Sequence, residues 1–334
     1  MPTPTDLSYS PGLTQIAIEY KNKNLVADLA VPPTRHSAKS GKYKSYSVYD
    51  VFGIEGGAIG PTSQADEVDF DVTETAFAMD DFGFVGYVSQ QAIDNADSPI
   101  QPFAAMTRKV TNKVLLKRER RVAQAILNTS NYAAGNQLDV AGAWAADVSV
   151  ATGVTWGQLL TGLDACAAPP NVFVMDIATF RALQKAFSVL SAIKGTLAPQ
   201  FVEQSTGPGK TGSLMVPDAI FCPALAQALG VDRVLVGSAW YASSAKGQTL
   251  TKARVWDLPN ATKGGAAFLR VTQDEVDDLV WGMNMFWKEP LRTMTWMEPN
   301  RGADGSTAIK VVETTKMTLV ANDAGYLFRD TLLT

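Results

Sequence analysis

The sequence predicts a mixed α+β fold, in which a long helix, antiparallel strands and an alternating α/β segment share one chain of 334 residues. Three patterns predict it. Residues 67–77 alternate apolar and polar side chains, as a half-buried antiparallel strand does. Residues 99–128 contain no obvious helix breaker, and beyond residue 150 strand-like and helical segments alternate. The length fits two domains, or one large domain with insertions.

The first forty residues are predicted to be extended. Prolines stand at positions 2, 4, 11, 32 and 33, and the segment has little apolar content apart from residues 13–31. Such a segment cannot form a core of its own. We therefore expect it to lie along another surface.

A long two-stranded hairpin is predicted next. Residues 42–52, KYKSYSVYDVF, are rich in Tyr, Val and Ser, and a glycine-rich stretch separates them from residues 67–77. In the second strand Val68 and Phe70 fall on one side, and Glu67, Asp69 and Asp71 fall on the other. A two-stranded hairpin is only marginally stable alone, so this one is expected to rest on a further surface.

The long helix is predicted to span residues 99–128, roughly 45 Å at 1.5 Å per residue. Ser98 and Gln101 have capping-box spacing, with Pro99 at the first helical position. The apolar stripe changes side midway, from Phe103, Met106, Val110 and Val114 to Leu115, Val122 and Ile126. This change predicts that the two halves of the helix pack in different environments.

The charges of the hairpin and the helix are opposite in sign. Residues 64–82 contain seven acids and no base, whereas residues 101–130 contain seven bases and one acid, in a chain of net charge -4. At 100° per residue, Lys109, Lys113, Lys117 and Arg120 fall within about 80° of one another. Three interpretations of this basic face stay open: contact with a protein, contact with nucleic acid, and a solvated surface.

The segment beyond residue 150 is predicted to be α/β. Asp176 is expected to cap one helix. The predicted order is helix 155–167, strand 171–175, helix 177–190, strand-like 214–221, helix 223–229, strands 232–241, 253–257 and 266–271, and a terminal strand pair interrupted near 322–325.

The residue counts exclude most catalytic and metal chemistry. His36 is the single histidine, and Cys166 and Cys222 are the two cysteines, which are too few and too scattered for a structural zinc site. His36 is interpreted as an ordinary surface residue, and both cysteines as small buried hydrophobes. No disulfide framework, signal peptide or membrane-spanning run is predicted, and neither is a cofactor.

A phosphate-binding loop is suggested only superficially by Gly209, Lys210 and Thr211. The full motif needs a glycine five positions before Gly209, where Gln204 stands, and a strand before the loop with a helix after it. The acidic run 273–278 also lacks the spacing of a calcium loop. A mobile glycine-rich loop and a solvated acidic turn are the preferred interpretations.

The order of these parts resembles that of the major capsid proteins of tailed bacteriophages, whose fold is named after phage Hong Kong 97. The resemblance rests on the order and spacing of loose motifs: GKYKSYSVYDVF and DEVDFDVTETAF, then TRKVTNKVLLKRERRVAQAIL, then NVFVM, GVDRVLVGSAWY and AGYLFRDTLL. It covers nearly the whole chain. It implies a shell-forming structural protein rather than an enzyme, which self-assembles into hexamers and pentamers of an icosahedral shell around double-stranded DNA.

The resemblance also implies a domain division. Residues 1–41 correspond to the N-terminal arm, 42–82 to the hairpin called the E-loop, and 83–149 to the P-domain with its spine helix. Residues 150–300 correspond to the A-domain, 301–322 to the return strands of the P-domain and 323–334 to a last A-domain strand. The arm and the E-loop are expected to lie across neighbouring subunits, where weak contacts repeated by symmetry stabilise the shell.

Within this resemblance, the opposite charges suggest pairing between the hairpin of one subunit and the helix of the next. The residues predicted to make this contact are Glu67, Asp69, Asp71, Lys113, Lys117, Arg120 and Arg121. Contact of the basic face with packaged DNA, through phosphates alone, stays an alternative.

The expected location is the virion capsid, after assembly in the host cytoplasm. Expected partners are other copies of this chain, a cement protein and a portal; since no scaffolding region precedes the arm, either a separate scaffold protein or none is expected. No membrane contact is expected. Two alternatives stay open: an encapsulin-like bacterial compartment shell, and an α/β nucleotide hydrolase that uses Gly209, Lys210 and Thr211.

Some members of the resembled family join their subunits by an isopeptide bond from an E-loop lysine. Residues 53–82 contain no lysine, and Lys42 and Lys44 lie at the base of the predicted hairpin. A displacement of ten positions along a strand moves a lysine amine by roughly 30 Å, which is too far to reach the same bonding partner. The shell is therefore predicted to be noncovalent.

Overall fold

The computed structural model describes residues 8–9, 11–19, 22, 24–46, 57–58, 64, 72–96, 101–148, 152–193, 217–257, 264–272 and 279–332. The strands are β1 Ser8–Tyr9, β2 Pro33–His36, β3 Ser40–Tyr46, β4 Val72–Ala78, β5 Asp80–Ser89, β6 Gln137–Asp139, β7 Val172–Asp176, β8 Arg233–Gly237, β9 Trp240–Ala242, β10 Lys252–Arg254, β11 Gly265–Leu269, β12 Gly282–Trp287, β13 Arg292–Glu298, β14 Ser306–Leu319 and β15 Gly325–Arg329. The helices are α1 Pro11–Glu19, α2 Ala27–Ala30, α3 Gln90–Asp94, α4 Pro102–Ile126, α5 Ala143–Ala146, α6 Thr155–Ala165, α7 Ile177–Leu183, α8 Phe187–Ala192 and α9 Asp218–Leu229.

A six-stranded sheet is organised around the long strand β14. One side of β14 pairs with β13 and β12, and the other side pairs with β5 over ten residues. The N-terminal strands β1 and β2 lie on the outer sides of β13 and β12. The N-terminal segment therefore covers two edges of the sheet.

A five-stranded sheet, in the order β6-β15-β11-β7-β8, is buried on both faces. Phe173 and Phe268 face one core with helices α6 to α9, whereas Val172, Val174 and Leu269 face the other. All five residues of β7 are buried, as the apolar run 171–175 predicts. The Asp176 carboxylate accepts a hydrogen bond from Ala178 N at 3.0 Å, which confirms the predicted cap.

The long helix α4 connects the two sheets. Its first half packs Val110 and Val114 against β14, and its second half packs Val122 and Ile126 into the core below the five-stranded sheet. The predicted change of buried side is therefore confirmed. The helix begins at Pro102, which takes the first helical position expected for Pro99; Ser98 and Pro99 lie outside the described residues.

The expectation of an extended N-terminal segment is wrong for Pro11–Glu19, which form a helix. Thr14 and Ala17, three positions apart, are buried, and Ala17 packs against Val110 and Val114 of α4. This i, i+3 spacing gives the segment a helical face that packs on its own chain. The described part of the segment thus lies on the subunit itself.

Three of the predicted α/β elements differ from the structure. Residues 218–221, the end of the predicted strand-like stretch, are the first turn of α9, because Phe221, Leu225 and Leu229 recur at helical spacing and all enter the core. Residues 214–216 of that stretch lie outside the described residues. The helix predicted from Ile177 is two helices, α7 and α8, and the strand predicted over 232–241 is β8 followed by β9.

The break between α7 and α8 has a local cause. Asp147, which is buried, accepts hydrogen bonds from the backbone and hydroxyl of Ser188 and from the backbone of Thr155. One carboxylate therefore satisfies amides at the starts of both α6 and α8.

Candidate functional site

The base of the predicted hairpin is fixed to the six-stranded sheet. Strands β3 and β4 pair antiparallel from Ser40 opposite Ala78 to Tyr46 opposite Val72, which confirms the hairpin over these residues. Phe77 and Met79 pack against Met285 of β12. The ribbon is thus held at one end by a small apolar cluster.

Ion pairs add to this attachment. Lys39 donates to Asp81 at 2.6 Å and Lys42 donates to Glu74 at 2.9 Å, both between exposed side chains. The hydrogen bond from Lys39, followed by that from Thr314, lowers the pKa of the Asp81 carboxyl. Residues 73–76 of β4 are all exposed, which leaves this part of the ribbon accessible.

A buried ion-pair network lies between α4 and β14. Arg118, with its side chain 5% exposed, pairs with Glu313 at 2.6 Å and with Asp28 at 3.0 Å. It also donates to the carbonyl oxygen of Pro290. Arg121 pairs with the other oxygen of Glu313 and donates to Thr315 Oγ1 at 3.3 Å. Glu313, fully buried, therefore holds two arginines of the helix.

Glu119 connects three parts of the chain. Its carboxylate accepts hydrogen bonds from Val26 N at 3.0 Å, from Ala27 N at 2.7 Å and from Trp256 Nε1 at 2.6 Å. Burial raises the pKa of the Glu119 carboxyl, although these three hydrogen bonds act in the opposite direction. The glutamate thus joins the N-terminal segment and the residues after β10 to the long helix.

The predicted basic face contains two kinds of residue. Lys113, Lys117 and Arg120 are exposed, and Lys117 Nζ lies 5.6 Å from the ring centroids of both Phe82 and Phe84. Arg121 is three-quarters buried and is engaged with Glu313 inside its own subunit. Arg118, one of the seven bases of residues 101–130 but not of the predicted basic face, is buried.

The acidic half of the predicted contact lies outside the described residues. Glu67, Asp69 and Asp71 all fall there, so the structure does not bring them together with Lys113, Lys117 and Arg120. The charge pairing therefore stays a prediction.

A basic and aromatic groove at the ribbon β9–β10 is a feature that sequence reasoning missed. It has a volume of about 350 Å³ and is lined in part by Arg120, Trp240, Tyr241 and Lys252. The Arg120 guanidinium lies 4.5 Å from the centre of the Tyr241 ring, and Trp240 is 52% exposed. The sequence does not indicate this groove, because Arg120 and Trp240 are 120 positions apart and meet only in the folded chain.

Asp176 is a buried carboxylate of the same region. It pairs with Arg254 of β10 at 2.8 Å, and burial raises its pKa to about 6 despite this cation. Arg254 also donates to Asp257 at 3.2 Å. This cluster fixes the ribbon β9–β10 to the end of β7.

The residues considered for catalysis do not form a site. His36 is half-buried in β2, with its ring edge-on to Phe77 at 4.9 Å and an exposed hydrogen-bond contact between its Nδ1 and the carbonyl oxygen of Ala38, so it lies at the surface as predicted. Burial raises the pKa of Cys166 to about 12 and that of Cys222 to about 11, which keeps both thiols protonated. Gly209, Lys210, Thr211 and the acidic run 273–278 lie outside the described residues.

Within the described residues, no cluster of His, Cys, Asp and Glu side chains has the arrangement of a metal site. Likewise, no helix in this part of the chain is both long and apolar enough to cross a membrane. The candidate functional features of the described structure are therefore surfaces for binding: the ribbon β3–β4, the exposed bases of α4 and the groove beside β9–β10.

Comparison with solved structures supports the mixed fold. The crystal structure of a phage-related protein from Bordetella bronchiseptica RB50 superposes with a TM-score of 0.70 at 17% identity, covering 98% of each chain. The capsid of cyanophage P-SCSP1u superposes with a TM-score of 0.53 at 10% identity, covering 92% of this chain and 88% of that one. A virus-like particle from Pyrococcus furiosus has a TM-score of 0.53 at 10% identity and covers 95% of each chain.

Comparison of sequences gives the family. A major capsid protein of Pseudomonas phage JBD67 is 28% identical over 322 residues, which are 96% of each chain. The family model described as phage capsid protein matches residues 72–289, more than half of the sequence. That match begins at β4 and ends just after β12, so it includes the long helix and most of the five-stranded sheet. The chain therefore belongs to the phage capsid protein family, as a phage major capsid protein.

Proposed function

We propose that copies of this chain assemble into hexamers and pentamers, which close an icosahedral shell around double-stranded phage DNA. The observation that carries the proposal is the ribbon β3–β4, which is paired over seven residues and whose described contacts with the rest of its subunit are made by residues near its base. A two-stranded ribbon is only marginally stable without a further surface. In a shell, a neighbouring subunit supplies that surface.

The parts of the fold take the roles implied by this assembly. The hairpin that starts at residue 42 is the E-loop, and α4 is the spine helix of a P-domain that spans 83–149 and returns through 301–322. Residues 1–41 are the N-terminal arm, and 150–300 with 323–334 are the A-domain. The packing of the two halves of α4 on different sheets supports its role as the spine helix that connects the P-domain with the A-domain.

The exposed bases of α4 are proposed to meet the acids Glu67, Asp69 and Asp71 of a neighbouring hairpin. Lys113 and Lys117 have no ion-pair partner among the described residues and are exposed along one side of the helix. Opposite charges on two long elements mainly set the register and partner of a contact. Arg121 contributes less to this surface, because Glu313 of its own subunit already neutralises it. Phosphates of packaged DNA are the alternative partner of these bases.

Further partners follow from the same proposal. A separate scaffold protein directs assembly in the host cytoplasm, a portal occupies one vertex, and a cement protein strengthens the shell. The mature location is the virion. The chain itself acts as a structural protein with no cofactor.

The test is assembly of the purified protein, observed by negative-stain microscopy and sedimentation velocity. Capsomers or closed shells are expected, whereas a monodisperse monomer at high concentration and at every salt concentration contradicts the proposal. Particles recovered from infected cells are then treated with nuclease. Protected double-stranded DNA is expected, and particles that protect protein cargo instead indicate a bacterial compartment.

A further inference from the structure

Among the described residues, strand β5 pairs along only one side of its backbone. Its ten residues pair with β14 on one side, and β14 in turn pairs with β13 and β12 on its far side. No strand of the described residues pairs with the outer side of β5. An open strand edge of this length, about 30 Å, presents a row of backbone donors and acceptors to which another strand can add.

The register shows which backbone groups point outward. Gln90 N donates to Gly305 O, so these two residues form a hydrogen-bonded pair of the antiparallel ladder. Such pairs alternate with pairs that do not exchange hydrogen bonds. With β5 and β14 in continuous register, the even-numbered residues of β5 bond to β14. The N–H and C=O groups that face outward therefore belong to Asp81, Gly83, Val85 and Tyr87.

Lysines of α4 lie above this open edge. Phe82 and Phe84 face the helix, and Lys117 Nζ is 5.6 Å from both ring centroids. Lys113, one turn earlier on the same side, is also exposed. The opposite side of the helix is covered by the N-terminal segment, which Glu119 binds through Val26 and Ala27. Positive charge is thus concentrated on the side of the helix that overlooks the open edge.

Residues 67–71 have the pattern that this edge requires. Glu67, Asp69 and Asp71 alternate with Val68 and Phe70, so a strand with this sequence presents carboxylates on one face and apolar side chains on the other. Placed beside β5, its acidic face meets the lysines of α4. Its apolar face then lies on the same side of the sheet as Val85, which is 39% exposed.

The added strand comes from a second subunit. Within one chain, β4 runs away from β5: Val72, next to this segment, stands seven positions before Met79, which is roughly 23 Å along a strand. We infer that residues 67–71 of a second copy add as a strand to the outer edge of β5, with their carboxylates facing Lys113 and Lys117. This inference rests on the proposed assembly and specifies how the hairpin binds its neighbour.

Val85→Pro tests the backbone contact. The substitution removes an outward N–H and places a ring in the path of the added strand, but it leaves the hydrogen bonds between β5 and β14 intact, and proline is tolerated on edge strands. Val85→Thr is the matched control, because it keeps the N–H and the β-branched shape. Loss of one hydrogen bond weakens each contact roughly fivefold, so the protein concentration needed for assembly is expected to rise at least that much for Val85→Pro and to stay unchanged for Val85→Thr.

The outcomes separate this inference from the proposed function. If the unchanged protein forms no shells, the proposed function is wrong. If it forms shells and Val85→Pro assembles equally well, the strand addition is wrong and the assembly stands. Should Val85→Pro fail to fold by circular dichroism, hydrogen exchange of the unchanged protein decides instead. The outward amides of Asp81, Gly83, Val85 and Tyr87 are expected to gain protection when free subunits become shells, and unaltered exchange overturns the inference.

Disulfide trapping identifies the strand that adds. Val85→Cys combined with Val68→Cys, or with Phe70→Cys, is expected to give reducible covalent multimers in assembled shells. Val85→Cys combined with Cys at the exposed Val148 is the control and should give a single band. Multimers formed by Val85→Cys alone would show that β5 pairs with β5 of the second copy, which contradicts the proposed occupant.

Discussion

Replacing Glu313 by Gln tests whether the buried ion-pair network stabilises the subunit. The carboxylate is fully buried and pairs with Arg118, which is 5% exposed, and with Arg121, which is 25% exposed. Glutamine keeps the shape and one acceptor oxygen but removes the negative charge. Among the described residues, the anionic partner that Arg118 then retains is Asp28, whose side chain is 46% exposed and better screened by solvent. Breaking one partner out of a buried ion pair typically costs about 3–5 kcal/mol, and we expect the free energy of unfolding to fall by that amount.

Urea denaturation of the unassembled subunit, followed by tryptophan fluorescence, measures this loss. Glu74→Gln is the matched control, because it makes the same chemical change in the exposed pair with Lys42. Exposed pairs contribute about 0–1 kcal/mol, so this variant should unfold close to the unchanged protein. A loss below about 1 kcal/mol for Glu313→Gln as well would refute the reasoning, since the network would then contribute no more than a surface pair.

Three further predictions concern pH, assembly and crosslinking. Burial raises the pKa of Asp176 from 3.8 to about 6, so the folded state binds this proton more readily than the unfolded state. The stability that the group contributes is therefore present below the pKa of the unfolded state and is lost as the pH rises to about 6. Asp176→Asn should remove that part of the pH slope, measured as the urea midpoint from about pH 4 to pH 7. Asp69→Lys with Asp71→Lys should block assembly while the subunit stays folded. Adding Lys117→Glu and Arg120→Glu should partly restore assembly, as seen by microscopy. Normal assembly of the Asp69→Lys, Asp71→Lys variant would favour DNA or solvent as the partner of the bases. Mature particles boiled in detergent should give one band near 35.8 kDa, the chain mass, rather than a ladder of multimers.

Elements with a regular apolar period were predictable from the sequence. The antiparallel alternation of 67–77 gave a strand whose described part is β4, and the shift in the apolar stripe of the long helix corresponds to its packing on two different sheets. The terminal strand pair, β14 and β15, is interrupted at residues 320–324, as predicted. Strand β4 therefore forms where the alternation predicts it, but the half-burial predicted for 67–77 is not seen at residues 73–76, which are all exposed. The burial of the long helix, in contrast, follows from side chains that repeat along that one element.

The burial of Arg118 and Glu119 was not predictable in this way. Both stand among exposed charges in KRERR, and nothing local distinguishes them from Lys117 and Arg120. Their partners are distant: Asp28 is 90 residues from Arg118, and Glu313 is 195 residues from it. Charged residues are buried when specific partners compensate them, and such partners become apparent only once the chain has folded.

The start of α9 was predicted wrongly for a different reason. Residues 218–221 include Ile and Phe, and Pro223 normally disfavours a helix interior, so local preference favoured a strand followed by a new helix. The core overrides this preference because a helix from Asp218 buries Phe221, Leu225 and Leu229 together. Pro223 is the sixth residue of this helix, so the fold gives up the one amide hydrogen bond that this position would otherwise donate to the carbonyl of Ala219.

The strand edges that the N-terminal segment covers and the edge that it leaves uncovered lie on opposite sides of the six-stranded sheet. The N-terminal segment covers the edge of β13 with β1 and the edge of β12 with β2, and it also covers one side of α4. Among the described residues, nothing pairs with the outer edge of β5, which lies on the opposite side of the same sheet, as does the lysine side of α4. The acidic strand proposed to bind there would come from a different surface of the next copy, so the contact would be heterologous, or head to tail. Heterologous contacts close into rings when the rotation between neighbours completes a circle, which is the geometry that hexamers and pentamers of one chain require.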